Sequence, residues 1–390
     1  MAIETYVGVE NKAHKVKNIY VGVDGVARKV KAAYVGVDGV ARYVFIGDGW
    51  HLMDKNTIFH DNNIRHGAPC RINNGSVDYL LFAGGSEYVS NTTVARVDVY
   101  DSNLTRTTAS NLSEAKDDLM SASLGTYAVF AGGYNSSSGA VNTIDAYDVN
   151  LTRTKPSGLR TTSTRGAGTN VGNYIIFAGG CDGSRTMRNT ATAYNKSLTR
   201  SSPSNIYQAA RDLMAINVGN YALFAGGNNK ASGTSTTYYT SATKYNASLT
   251  RSSAAALGMA RSNAGCASNS TMGIITTGYR PSDKKNTYIT EKYDASMTKT
   301  SLSALLYNTS IGITLKNHCA FFSYGYELCD YNTDGTKTFI ELFHRNWHDF
   351  LDISIDYKGG VVGDYALIPA FPINDGASYL YRYFFKEPQS

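Results

Sequence analysis

Apolar residues fall into short runs that recur along most of the chain. Four runs are nearly identical: Tyr79 to Gly85 (YLLFAGG), Tyr127 to Gly133 (YAVFAGG), Tyr174 to Gly180 (YIIFAGG) and Tyr221 to Gly227 (YALFAGG). Looser copies follow at Met272 to Gly278, Cys319 to Gly325 and Tyr365 to Phe371, so the spacing from end to end is 46 to 51 residues. Each run is apolar on both faces and is closed by glycine, which predicts a strand buried on both sides and then turned sharply. An alternating stretch before it, such as Asp212 to Val218, predicts a first strand joined through a tight turn at Gly219-Asn220. After it come a polar loop, a third strand ending in Tyr and a fourth beginning Leu-Thr-Arg. Seven four-stranded units that cannot bury their own faces predict an all-β, seven-bladed β-propeller.

The third and fourth strands have the most regular spacing. Tyr100 and Arg106, Tyr147 and Arg153, Tyr194 and Arg200, Tyr245 and Arg251, Tyr293 and Lys299, and Tyr331 and Lys337 are all six apart. The residue after each Tyr is Asp or Asn, suited to a side-chain-capped turn that reverses the chain in fixed register.

Residues 1–49 follow a second, shorter period. Tyr6, Tyr20 and Tyr34 each open Tyr-Val-Gly-Val, 14 residues apart, and Glu10-Asn11, Asp24-Gly25 and Asp38-Gly39 supply the turn between two alternating strands. Each repeat therefore predicts one small hairpin. Hairpins of this size are marginal alone, so this arm is expected to associate with a partner or with its own copies, for instance as a trimer. Lys15, Lys17, Lys29 and Lys31 read as charges that protect strand edges. Residues 50–390 form the propeller, which is expected to close by pairing a strand near Thr57–His60 with Tyr379–Phe385.

Composition narrows the function. A net charge of +6 without a Lys/Arg block gives no nucleic-acid footprint. The five cysteines, Cys70, Cys181, Cys266, Cys319 and Cys329, include no Cys-x-x-Cys pair and suggest no disulfide framework. The start of the chain has no signal-type segment and no run of eighteen apolar residues occurs, so cytoplasmic synthesis without membrane insertion is expected. His344 and His348 are the one pair at metal-like spacing, but the Glu of a metalloprotease motif is absent between them, and no metal or cofactor is assigned.

Loop length separates the two ends of the units. Connections one and three are short and constant, whereas the second and fourth, which share a face, carry all the variation. The second connections are rich in Tyr, Ser, Asn, Gly and Thr, the residues of adaptable recognition surfaces. Tyr88, Tyr134, Arg185, Tyr238, Tyr239, Tyr279, Arg280 and Tyr288 are the ligand-binding candidates, with Trp347 in a long insertion beside them. No catalytic residue is assigned.

The glycine pair after an apolar strand, the Tyr-Asp before a turn and the period resemble kelch repeats, which form propellers. Leu-Thr-Arg stands where kelch repeats commonly have Thr-Trp, and units five to seven lack the glycine pair. The Tyr-Val-Gly-Val-Asp-Gly-Val-Ala-Arg units resemble N-terminal repeats in tail structural proteins of phages and prophages of Gram-positive bacteria. That resemblance implies a virion tail protein whose arm joins other tail or baseplate proteins and whose propeller recognises a host-surface glycan or protein. The alternatives are an intracellular kelch adaptor and a carbohydrate-active enzyme.

Overall fold

The computed structural model describes the backbone of the strands between Tyr6 and Asn56. It also describes residues 64–386, except 88–89, 231–235, 281–284, 287–288, 306–308, 324–326, 342–350, 353–357 and 373–378. The described residues form strands and turns; none of them forms a helix, so none forms one long and apolar enough to cross a membrane. The chain divides into two compact units, residues 1–53 with 383–390, and residues 54–382.

In the first unit the repeats form three two-stranded hairpins. Tyr6–Val9 pairs Lys12–Lys15, Tyr20–Val23 pairs Val26–Lys29, and Ala32–Val37 pairs Val40–Ile46.

The second unit is a β-propeller arrangement of six four-stranded antiparallel sheets in sequence order. The fourth blade is representative: Met214–Val218, Tyr221–Ala225, Ala242–Asn246 and Arg251–Ser253, with Ile216 opposite Leu223 and Leu223 opposite Lys244. The anchor strand is buried from Ala222 to Ala225, as its unbroken apolar run requires. The glycine pair then turns the chain in the left-handed region, with Gly226 at φ 66° and Gly227 at φ 92°. A Cβ on Gly226 would stand 2.6 Å from the Arg261 carbonyl oxygen of the next unit, so the turn also permits close approach between neighbours.

The blade count is corrected from seven to six. The seventh anchor lies in a five-stranded sheet ordered Leu351–Asp352, Tyr365–Pro372, Tyr379–Lys386, Gly49–Asn56, with Gly360–Val362 also paired to Tyr365–Pro372. The physical reason is the absence of any closing glycine: units five and six lack the pair but keep one glycine, Gly278 and Gly325, whereas the seventh run ends Pro369-Ala370-Phe371. Without one the strand runs on for eight residues to Pro372, and its far end takes Leu351 and Asp352 as partners in place of a turn. Val362 and Leu367 pack on Leu80, Phe82 and Tyr100 of the first blade. Residues 57–60, the expected closing strand, lie outside the described residues.

Three rows of contacts, repeated from blade to blade, hold the sheets together. The third-strand tyrosines are buried and donate to backbone carbonyls of the preceding connection: Tyr147 to Ser110 at 2.7 Å, Tyr194 to Ser157 at 2.6 Å, Tyr245 to Ser204 at 2.6 Å. Beside them Asp145, Thr192, Thr243 and Glu291 accept the backbone N–H of Ser113, Arg160, Tyr207 and Gly258. The acidic members need counter-charges once buried. Lys116 lies 3.0 Å from Asp145, and Arg261 lies 2.8 Å from Glu291, all four side chains being at most 2% exposed. Burial alone would raise the Asp145 carboxyl, but the Lys116 charge and hydrogen bond together with the Ser113 hydrogen bonds outweigh it and hold the carboxyl below the usual range.

The turn after each third strand is capped as its Asx residue predicts. Asp148 Oδ1 accepts the N–H groups of Asn150 and Thr152, and Asn246 Oδ1 those of Ser248 and Thr250. The fourth strands begin at the Arg or Lys and not at the Leu. Leu104, Leu151, Leu198 and Leu249 sit at positive φ inside the turn. Leu151 and Leu249 each pack against the core of a neighbouring sheet pair.

Candidate functional site

The strongest candidate is the axial mouth of the propeller, built by the residue two positions before the inner strand in each of the first five units. His66, Asp118, Arg165, Asp212 and Asn263 occupy equivalent positions in the first five units, and all five have positive φ, between 49° and 58°. Left-handed backbone is tolerated by Asn, Asp and His but is costly for Arg, and such strain persists only where surroundings fix it. Here a chain of backbone hydrogen bonds does so. Each residue donates its N–H to the carbonyl of the previous one: Asp118 to His66 at 3.1 Å, Arg165 to Asp118 at 3.1 Å, Asp212 to Arg165 at 2.8 Å, Asn263 to Asp212 at 3.2 Å.

The side chains continue the ring with alternating charge. His66 Nδ1 lies 3.2 Å from Asp118 Oδ1, and Arg165 reaches Asp118 at 3.4 Å and Asp212 at 2.7 Å. Asn228 donates to the second oxygen of Asp212 at 2.9 Å. His66, Asp118, Arg165, Asp212, Asn263 and Lys358 line a cavity of about 130 Å³. A second cavity of about 240 Å³ continues between the inner strands and shares Gly166, Leu213, Ala264 and Lys358 with the first. Small residues line it because the strands crowd there: a Cβ on Gly168 would fall 2.6 Å from the Ser121 carbonyl oxygen, and one on Gly312 2.4 Å from that of Cys266.

Two adjacent carboxyls are driven apart in acidity. Burial alone would raise Asp118, but the His66 hydrogen bond and the Arg165 charge hold it at about 2. Asp117 goes the other way, to about 6, pushed up by burial and by the charge of Asp118. Lys358 keeps solvent-exposed area yet is crowded by protein, as a side chain in a narrow mouth must be; that crowding lowers its amine, against the opposing pull of Asp118.

None of the sequence candidates among the described residues lines either cavity. The residue before each axial position bridges the residue after the neighbouring glycine turn: Asp117 to Tyr134, Thr164 to Cys181, Arg211 to Asn228, Ser262 to Tyr279. Tyr134 and Tyr279 therefore stand one position out from the axial ring, 40% and 45% exposed. Tyr238 and Tyr279 meet edge to face with ring centroids 6.2 Å apart. Tyr239 is half-buried, its N–H donating to the Gly227 carbonyl. Arg185 is exposed in a turn closed by Asp182, away from the cavity. Arg280 pairs Lys285 through the backbone of a short hairpin. Tyr88, Tyr288, Trp347, His344 and His348 lie outside the described residues. Sequence reasoning missed His66, Asp118, Arg165, Asp212, Asn263 and Lys358. Their spacing of 52, 47, 47 and 51 residues through Asn263 was a usable signal, but chemically different residues at equivalent positions do not look like a repeat.

All five cysteines are free thiols, and among the described residues no three His, Cys, Asp or Glu side chains group as metal ligands.

No protein-family model matches the chain, and no curated protein sequence matches it. Among solved structures the chain is similar to that of YjhT, at 10% sequence identity and a TM-score of 0.54, over 72% of this chain and 98% of that one. At this identity the likeness is one of fold.

Proposed function

We propose that this chain is a tail-associated structural protein of a phage or prophage of Gram-positive bacteria, a kelch-like propeller that binds a host-surface glycan without converting it. The observation that carries the binding reading is the axial mouth. It has an ion-paired, backbone-locked floor of His66, Asp118, Arg165 and Asp212 beneath exposed tyrosines. Fixed planar polar groups suit the hydroxyls of a sugar, and tyrosine rings suit its apolar face with little entropy lost on binding. The site also lies on the face where loop length varies, the usual place for function on a rigid scaffold. The repeats of residues 1–49 support the tail assignment, and they would join this chain to other tail proteins or to its own copies.

The test is binding of the full chain to an array of bacterial surface glycans. Tyr279→Ala and Arg165→Met are expected to lower binding about tenfold or more, the loss typical of central contacts. Tyr207→Ala is the control: this tyrosine is 50% exposed but stacks on Arg251, away from the mouth. Equal effects from all three would remove the axial mouth as the binding site. Absence of the protein from purified particles would overturn the tail assignment.

A second reading, a carbohydrate-active enzyme, is favoured by one observation. Neighbouring carboxyls at about 6 and about 2 are the arrangement by which acid and base roles are divided. Turnover of a bound glycan, abolished in Asp117→Asn, would establish it.

A further inference from the structure

One cation of the axial mouth stands apart from its ion pairs. Asp118 is held by His66 and Arg165, and Asp212 by Arg165 and Asn228, with Arg211 at 3.5 Å. Each carboxylate thus has a partner, and Arg165 is spent on both. Lys358 differs. It stands two residues before the strand Gly360–Val362, lines both cavities, and makes no hydrogen bond or ion pair with any described residue. The side chain of Asn263, in the same cavity, likewise has no hydrogen-bond partner among the described residues.

Resting on the glycan reading, we infer that the sugar presented to this mouth carries an anionic group, a carboxylate or a phosphate ester, which seats on Lys358 with the Asn263 amide beside it. The ammonium stands where a narrow protein-walled channel opens, and low-dielectric walls focus its field into the opening. An anion entering there can touch the ammonium directly, whereas Asp118 and Asp212 act on it only through space, without a hydrogen bond or ion pair. A neutral sugar leaves the ammonium as it was. Asp118 and Asp212 do not repel the anion strongly, because their charges are committed to the guanidinium and imidazole contacts around them.

The test uses the full chain titrated calorimetrically with glucuronate, glucose 6-phosphate and glucose. At least one anionic sugar is expected to bind about tenfold or more tightly than glucose, and the tighter of the two identifies the carboxylate or the phosphate ester as the natural group. Lys358→Met should erase the preference and Lys358→Arg should keep it. If Lys358→Met fails to fold, raising sodium chloride to about 0.5 M should reduce the preference in the unaltered protein. Equal binding of all three sugars, or a preference unchanged in folded Lys358→Met, overturns the anionic site and leaves the glycan reading standing. No binding of any of them counts against both.

Discussion

Arg165 donates from Nε to Oδ1 of Asp212 at 2.7 Å across a blade boundary, while its Nη1 faces Asp118 of the preceding unit at 3.4 Å. One guanidinium so ties three consecutive units at the axis, and does so from a left-handed backbone conformation. Removing it leaves two carboxylates facing each other without their shared cation. Arg165→Met is expected to cost about 2–3 kcal/mol in urea unfolding. A double-mutant cycle with Asp212→Asn should return a coupling of about 1 kcal/mol or more. Strict additivity would mean that the bridge contributes geometry and no energy.

Asp117 gives a pH signature. Its folded-state carboxyl is raised from 3.8 to about 6, so the stability it contributes is complete below 3.8 and is lost as pH rises through about 6. Asp118 has the opposite sign: its contribution is present above 3.8 and disappears as pH falls towards about 2. Asp117→Asn is therefore expected to stabilise the protein by about 1–2 kcal/mol at pH 7.5, after allowing for partial solvent screening, and to leave it unchanged near pH 4. Melting temperatures at the two pH values check this, and an equal gain at both would contradict it.

Lys116 and Asp145 are fully buried and 3.0 Å apart. Lys116→Met should cost about 3 kcal/mol, since it strands a buried carboxylate between blades. Arg153 lies 3.1 Å from the same Asp145 and the Ser113 N–H donates to it. A loss below about 1 kcal/mol would show that these two partners suffice without the lysine.

Gly226 and Gly75 separate close packing from backbone preference. Both have positive φ, but a Cβ on Gly226 meets Met214 Cε at 2.3 Å and the Arg261 carbonyl oxygen at 2.6 Å, whereas one on Gly75 meets nothing within 4 Å. Gly75→Ala should cost about 1 kcal/mol, the conformational share alone. Gly226→Ala should cost about 3 kcal/mol or more, because backbone atoms of the next blade cannot move aside. Similar losses at the two sites would mean that the anchor glycines serve only the turn.

Repetition made the scaffold legible. A strand buried on both faces must be apolar at every position, and a sharp left-handed turn favours glycine, so Tyr-Ala-Leu-Phe-Ala-Gly-Gly announced both without any contact being known. The Asx turn after each Tyr was equally visible, because Asp148 and Asn246 cap their own backbone within four residues. The same logic failed at Tyr365–Pro372. There the period suggested another four-stranded blade, but the strand extends past the expected turn and joins a sheet of different order.

What the sequence determined by itself was the local part: the anchor strands of the six blades, the turns that follow their glycines and Asx residues, and the three 14-residue hairpin repeats. These depend on residues near one another in the chain. The tertiary structure alone decided the blade count and the axial mouth. His66, Asp118, Arg165, Asp212 and Lys358 become neighbours only because curved sheets bring equivalent positions from different units to one axis. Their chemistry is complementary and not repeated, since neighbours of opposite charge attract and like charges would repel. A search for similarity along the chain passes over a ring whose stability comes from its members being different.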